Sequence, residues 1–242
     1  MYLSPKMVTV VIPARNEAKN IKAFLKSLPT DIPLIVVDSS DDKTPAIICG
    51  QRPLNTKLIE VECNIPQARQ IGADAAQTPW ILFSDADIIF DETYFDCLSE
   101  MNIQEKAGAI MGAKLSNEQY KLYLRLYSFS IGFYAKFGLP MGSGSNMLVR
   151  REAFLKTSGF DPKLSAGEDT YMLWQIKKTG YKVIYNGKLK VFETDHRRLQ
   201  KGVFKKIFHG TSRALMLFSG IKSDKVRRSN WGYWSSGDKK SE

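Results

Sequence analysis

Apolar residues come in short runs separated by polar clusters from the start of the chain, and their spacing alternates between two periods. Residues 7–12 form a β-branched block that stops at Pro13, after which Ile21, Phe24, Leu25 and Leu28 recur at helical spacing. This predicts strand, loop, helix. Leu34-Ile35-Val36-Val37-Asp38 repeats the strand with an Asp at its carboxyl end, and the polar turn Ser39-Ser40-Asp41-Asp42 can cap a helix over about 44–51. A third strand at 57–62 and a helix at 66–77 lead to Trp80-Ile81-Leu82-Phe83, a buried strand after the helix-breaking Pro79. Four such β–α repeats within residues 7–90 predict a parallel sheet with right-handed crossovers.

The second half is less regular. A helix at 92–104 and a strand at 109–115 precede residues 119–138, where Tyr120, Tyr123, Leu124, Tyr127, Ile131 and Tyr134 share helical spacing and Lys121, Arg125 and Lys136 are the only charges. Such a segment is either a core helix or one that lies in a membrane interface or forms an acceptor groove. The loop Gly142-Ser143-Gly144-Ser145-Asn146 feeds a short strand at 147–149, and its glycines let backbone approach a ligand. Glu168 and Asp169 open a helix that runs to Thr179 and ends at Gly180, and taken alone they serve its dipole. Strands at 183–185 and 189–193 then reach Asp195-His196-Arg197-Arg198, where a solvated turn is the plain alternative to a functional histidine. Residues 199–220 predict a basic amphipathic helix, and the polar remainder, 221–242, a frayed tail. The organisation expected is one catalytic domain over 1–198, followed by that helix and tail over 199–242.

In parallel sheets ligands bind beyond the carboxyl ends of the strands, so the loops after Ile12, Val37 and Phe83 should face one crevice. They carry Arg15, Asn16, Glu17, Asp38, Asp85 and Asp87. Asp85 and Asp87 stand at period two, so on an extended backbone both point to the same side, as a hard divalent cation with phosphate ligands requires. A solvated strand end or helix cap is the alternative reading. No G-x-G-x-x-G follows the first strand, which removes the main support for a dinucleotide site. A cluster of carboxylates also suits bare phosphates poorly unless a metal intervenes.

Composition narrows the setting. A chain of 242 residues with 43% hydrophobic content suffices for one large α/β domain. Cys49, Cys63 and Cys97 are too few and too scattered for a disulfide framework or a zinc site, so a reducing compartment and packing roles are expected. Residues 1–6 carry no apolar leader and no run reaches the ~18–20 apolar residues of a membrane span, so the expected protein is neither exported nor integral. Of the net charge of +10, nearly all lies in residues 188–242, with 14 Lys and Arg against 5 Asp and Glu. That local basic surface suits nucleic acid, an anionic bilayer or a phosphorylated substrate.

The order and spacing of the motifs resemble glycosyltransferase family 2. The resemblance spans about residues 7–198, through V-V-I-P-A-R-N-E (10–17), I-V-V-D-S-S-D-D-K-T (35–44), A-R-Q-I-G (68–72), F-S-D-A-D (83–87), G-S-G-S-N-M (142–147), and G-F-D-P followed by G-E-D (159–169). It implies an α/β GT-A fold, a Rossmann-like and mostly parallel central sheet flanked by helices. It also implies inverting sugar transfer from a nucleoside diphosphate donor, UDP- or GDP-linked, with Mn2+ or Mg2+ as cofactor. By position it puts Pro13, Arg15 and Glu17 around the nucleoside, Asp38 at the base, and Arg69 near the diphosphate or ribose. Asp85 falls near ribose and metal, Asp87 on the metal, and Gly142, Ser143 and Gly144 at sugar and acceptor. Asp169 becomes the catalytic base, with Glu168 beside it in the catalytic pair, and His196 a further metal ligand. Ser39 departs from the pattern, standing where members often carry a second Asp. The absence of Q-x-x-R-W after the Glu-Asp pair speaks against a processive polysaccharide synthase.

Two other readings are weaker. Metal-dependent nucleotidyl transfer would use a similar sheet and acidic pair, but it calls for a Gly/Arg/Lys-rich phosphate loop, whereas residues 13–17 include an acid and no glycine. A non-enzymatic basic membrane-surface module leaves both acidic pairs idle. The pairing of the aromatic helix at 119–138 with the basic one at 199–220 predicts a lipid-linked acceptor, a polyprenyl phosphate or glycolipid, rather than nucleic acid. It also predicts a peripheral enzyme on the cytoplasmic face of a membrane.

Overall fold

The computed structural model describes residues 2–164 and 167–200, together with 202–204, 206–208 and 212. The first half alternates as the sequence predicts: β1 (Val8–Ala14), α1 (Ile21–Ser27), β2 (Leu34–Asp38), α2 (Thr44–Gln51), β3 (Thr56–Glu60), α3 (Ile65–Ala75) and β4 (Trp80–Ser84). After β5 (Ile88–Phe90) come α4 (Tyr94–Glu100), β6 (Ala107–Leu115), α5 (Lys121–Lys136), β7 (Asn146–Arg150) and α6 (Arg151–Leu155). The described order closes with α7 (Glu168–Lys178), β8 (Lys182–Glu193) and α8 (Arg197–Gln200).

The strands make one sheet in the order β3-β2-β1-β4-β7-β6-β8-β5. The first four are parallel neighbours, β7 is antiparallel to both β4 and β6, β6 and β8 are parallel, and β5 is antiparallel to β8. β1, β2 and β4 read as unbroken apolar runs because helices cover both faces of the sheet. Val8, Val10, Ile12, Leu34, Trp80 and Leu82 pack with Phe24 and Leu25 of α1 on one face. Val11, Ile35, Val37, Ile81 and Phe83 pack with Ala68 of α3 and Met172 and Ile176 of α7 on the other. Each fully buried side chain of this size contributes about 1.5–3 kcal/mol. At the start of α3, Asn64 and Gln67 form a reciprocal capping box and Pro66 fills a first-turn position that needs no donor.

Three features differ from the sequence reading. First, Asp85 and Asp87 do not stand on an extended backbone, because Asp85, Ala86 and Asp87 form a turn between β4 and a further short strand, β5. Those strands lie four places apart in the sheet, ~19 Å if it were flat. The link from Ser84 to Ile88 reaches at most ~15 Å. The sheet therefore curls, and the acidic turn bridges the curl. Second, the two predicted strands at 183–185 and 189–193 are one strand. Its pairing with β6 jumps from Gly112↔Asn186 to Ala113↔Lys190, so three residues bulge out. The bulge brings the Leu189 carbonyl to Asn146, whose Nδ2 donates to it at 2.9 Å, and a side chain on Gly112 would collide with both. Third, the five-residue α6 directly after β7 has no counterpart in the sequence reading.

α5 is apolar on opposite sides. Leu124, Ser128 and Ile131 are buried against the sheet, while Leu122, Leu126, Phe129 and Phe133, with Phe137 just past its end, form a stripe exposed by 48–71%. Among the described residues no helix is long and apolar enough to cross a membrane. Cys63 and Cys97 are half-buried, and Cys49 is exposed rather than packed. The basic amphipathic helix expected at 199–220 lies mostly outside the described residues; those described there are helical at 199–200, 203–204, 206–208 and 212.

Candidate active site

The loops after β1 and β2 fold into one unit. Asn16 takes the left-handed conformation at φ +57°, its backbone N–H donates to Ser40 Oγ at 2.8 Å, and its side-chain Oδ1 accepts from the Asp41 N–H at 3.0 Å. The Glu17 N–H donates to Thr44 Oγ1 at 2.9 Å, and Asn20 Nδ2 donates to Glu17 Oε2 at 2.6 Å. Asp38 is buried at the end of β2 and accepts from both the hydroxyl and the N–H of Ser40. Burial raises its pKa despite those bonds. Ser39, the position that departs from the family pattern, turns its hydroxyl to the Val61 carbonyl at 2.7 Å. Pro13 is half-buried and Arg15 is exposed.

The centre of the site is Arg69, on the buried side of α3. Its Nη2 donates to Asp85 Oδ1 at 2.9 Å and its Nη1 to Glu168 Oε1 at 2.6 Å, so one guanidinium joins the β4–β5 turn to the start of α7. Burial alone would weaken its hold on the proton, but Asp85, Glu168 and Asp169 outweigh that and raise its pKa. Gly144 lies directly against this guanidinium, and a Cβ there would overlap it. The Gly144 N–H donates to Asp169 Oδ2 at 2.8 Å, and the Thr170 N–H to Asp169 Oδ1 at 2.6 Å. Burial and the neighbouring Glu168 nonetheless push the Asp169 pKa up to about 6, against the pull of Arg69 and the two N–H groups. A carboxyl poised there can accept a proton near neutral pH. Tyr127 of α5 reaches the glycine loop, its hydroxyl 3.5 Å from the Gly142 carbonyl.

On the far side of Asp85 lies a group that the sequence reading missed. Lys114, buried on β6, donates to Glu193 Oε1 at 2.8 Å and to Ser145 Oγ at 3.1 Å, and Ser145 Oγ in turn donates to Asp85 Oδ2 at 2.5 Å. A lysine closing the apolar run Ala109-Ile110-Met111-Gly112-Ala113 was its one signal in the sequence. Asp87 is fixed through its backbone, its carbonyl accepting from the N–H and the hydroxyl of Thr194 at 2.9 and 2.8 Å. His196 is buried, with Nε2 3.1 Å from Ser116 Oγ, Nδ1 facing Glu193 Oε2 at 3.8 Å, and the Tyr120 ring edge-on.

The structure thus brings Arg69, Asp85, Gly144, Glu168 and Asp169 together, and sets His196 against Ser116, Tyr120 and Glu193, the last of which connects through Lys114 and Ser145 to Asp85. Among the described residues no three His, Cys, Asp or Glu converge as a ready-made metal cage. The donor set nevertheless fits Mg2+ or Mn2+. Such ions are held by one or two carboxylates plus substrate phosphates rather than by all-protein cages, and Asp85 and Asp87 in one tight turn supply that pair.

The sequence profile of glycosyl transferase family 2 matches residues 9–157. Pre-mycofactocin glycosyltransferase of Mycobacterium tuberculosis is 26% identical over 229 residues, covering 87% of this chain and 47% of that protein. The 4,4'-diaponeurosporenoate glycosyltransferase of Staphylococcus aureus is 28% identical over 152 residues, 59% of this chain and 38% of that protein. The chain thus spans about half the length, or less, of the curated relatives it matches. A mannosyltransferase from Pyrobaculum calidifontis, solved with GDP-Man and Mn2+, superposes with a TM-score of 0.66 at 22% identity, over 79% of this chain and 58% of that one.

Proposed function

The chain belongs to glycosyl transferase family 2, and we propose that it moves a sugar from a nucleoside diphosphate donor to an acceptor hydroxyl or phosphate, with inversion at the anomeric carbon. The arrangement that supports this most directly is the Asp169 carboxyl, held 2.8 Å from the Gly144 N–H with its pKa raised to about 6. Inversion in one displacement needs a base on the face of the sugar opposite the leaving group. Asp169 takes the acceptor proton, and Gly144 and Thr170 hold its two oxygens in place. Arg69 keeps Asp85 and Glu168 in register on either side of that carboxyl.

The finer points belong to the same proposal. Asp87 with Asp85 would hold Mn2+ or Mg2+, which when bound neutralises charge on the departing diphosphate. The coupled loops at 13–17 and 38–44 receive the nucleoside of a UDP- or GDP-sugar, and the Pyrobaculum structure was solved with GDP-Man and Mn2+. The acceptor is lipid-linked, presented at the cytoplasmic face of an anionic membrane. Support comes from the exposed stripe of α5 and from an apolar groove of about 620 Å3 between α5 and β8. Phe129, Phe133, Val183, Ile184 and Tyr185 line it together with Arg125 and Lys136.

Incubating the protein with UDP- and GDP-sugars and Mn2+ tests the reaction class. Sugar transfer or slow hydrolysis releases the nucleoside diphosphate. Release of pyrophosphate from a nucleoside triphosphate plus sugar phosphate would point to nucleotidyl transfer and overturn the reading.

A further inference from the structure

Charged groups through the interior of the site alternate in sign. Glu193 Oε1 meets Lys114 Nζ at 2.8 Å, Lys114 reaches Ser145, and Ser145 reaches one oxygen of Asp85. Arg69 takes the other Asp85 oxygen and continues to Glu168. Both cations are almost fully buried, their side chains 9% and 4% exposed. Lys114 is not needed to fill space in an apolar strand, where a Met of similar length packs without desolvating a charge. Its ammonium faces Glu193, Asp87 and Asp85, whose fields outweigh burial and keep it protonated.

We propose that Lys114 is a resident counter-ion of the acidic turn, which lowers the affinity of Asp85 and Asp87 for a bare divalent cation so that the metal enters with the donor diphosphate. In the donor-free protein each carboxylate beside the turn already has an internal cation at hand. Both Asp85 oxygens are hydrogen-bonded, and Glu193, the carboxylate facing the same ammonium, is tied to Lys114. A divalent ion arriving alone meets carboxylates whose charge is already partly offset, and two competing cations. Arriving with a diphosphate, it brings its own oxygen ligands, and the added negative charge turns Lys114 and Arg69 from competitors into partners. Lys114 acts here as a positioning and selectivity residue rather than a catalytic one.

This rests on the metal-dependent part of the proposed function, and Mn2+ binding measured by electron paramagnetic resonance separates the two. The wild-type protein, Lys114→Met and Lys114→Arg are titrated with Mn2+ alone, then with Mn2+ and GDP or UDP. Expected is weak binding of Mn2+ alone to the wild type and to Lys114→Arg, and at least ~10-fold tighter binding to Lys114→Met, which loses the repelling charge and frees Glu193. The advantage conferred by the nucleotide should shrink in Lys114→Met. Unchanged or weaker affinity for Mn2+ alone in folded Lys114→Met assigns Lys114 a structural role and overturns the inference while leaving the function standing. Failure of the wild type to take Mn2+ with either nucleotide takes both down. Should Lys114→Met fail to fold, the paired change with Glu193→Gln leaves no buried charge uncompensated, and a smaller gain in the same direction is expected from it. No gain there is equally fatal.

Discussion

The backbone N–H of Gly144 points at Oδ2 of Asp169 across 2.8 Å, so the glycine loop and the start of α7 are locked together at the carboxyl proposed as base. The same glycine lies against the Arg69 guanidinium. Gly144→Ala therefore pushes a methyl group into Arg69 and loosens its bonds to Asp85 and Glu168. The expected cost is about 1–3 kcal/mol of stability and at least ~10-fold in turnover. Thermal denaturation and initial rates check both, and a fully active variant would show that the Arg69 contacts are dispensable.

Asp169 must be ionised to accept a proton, so turnover should fall ~10-fold per pH unit as the pH drops below about 6. Asp169→Asn should keep donor binding, lose at least ~10²-fold in turnover and show no such limb. The linkage to stability has the opposite sense. Because the folded pKa is raised, the folded chain binds this proton more tightly than the unfolded one. That contribution is present below pH ~4 and is lost as the pH rises through about 6. The melting temperature of the wild type should accordingly fall relative to that of the Asn variant as the pH rises from ~4 to ~8. Near-normal transfer by that variant would mean that the base lies elsewhere.

Asp87→Asn should abolish the dependence of nucleotide binding on Mn2+, together with transfer. Calorimetric titration with GDP and UDP, with and without Mn2+, reads this directly, and metal-dependent binding retained by the variant would remove Asp87 from the ion.

Low-salt sedimentation with anionic vesicles should carry the protein down, and high salt should release it, since each Lys or Arg at such a surface contributes about 1 kcal/mol. Phe129→Asp with Phe133→Asp, on the exposed stripe of α5, should weaken this at least ~10-fold and leave nucleotide binding unchanged. No sedimentation of the wild type at low salt would sink the membrane assignment.

Arg52 offers a stability test remote from the chemistry. Buried at the end of α2, it donates to the carbonyls of Leu28, Pro29 and Ile32 at 2.7–2.8 Å and thereby closes the α1–β2 loop. Arg52→Met strands three acceptors and should cost about 2–4 kcal/mol in chemical denaturation. Activity well below the transition should be untouched.

The sequence made some of this legible and hid the rest for physical reasons. β1, β2 and β4 are buried on both faces, so their apolar runs stand out and their ends locate the loops of the site. β5 is three residues long and finds its partner, β8, about a hundred residues later, so Ile88-Ile89-Phe90 gives no strand signal of its own in the sequence. Asp85 and Asp87 were recognisable as chemistry, but the period-two argument assumed an extended backbone where there is a turn. The Arg69–Glu168 and Lys114–Glu193 pairs join positions 99 and 79 residues apart. Such pairings leave no periodicity to read. A single lysine at the end of an apolar strand was the most a reader had.

The curl of the sheet has a bearing on how the protein comes into being. The acidic turn is held at one end by β4 and at the other by β5, and β5 is secured by β8 and by Thr194, which grips the Asp87 carbonyl twice. A nascent chain that has emerged only as far as residue 100 already carries both aspartates, yet lacks the strand that sets the turn. Contacts of such separation form slowly, because closing the intervening loop costs entropy before the contact returns anything. The acidic cleft therefore matures only after β8 has docked, and an unfinished polypeptide carries the motif without the site.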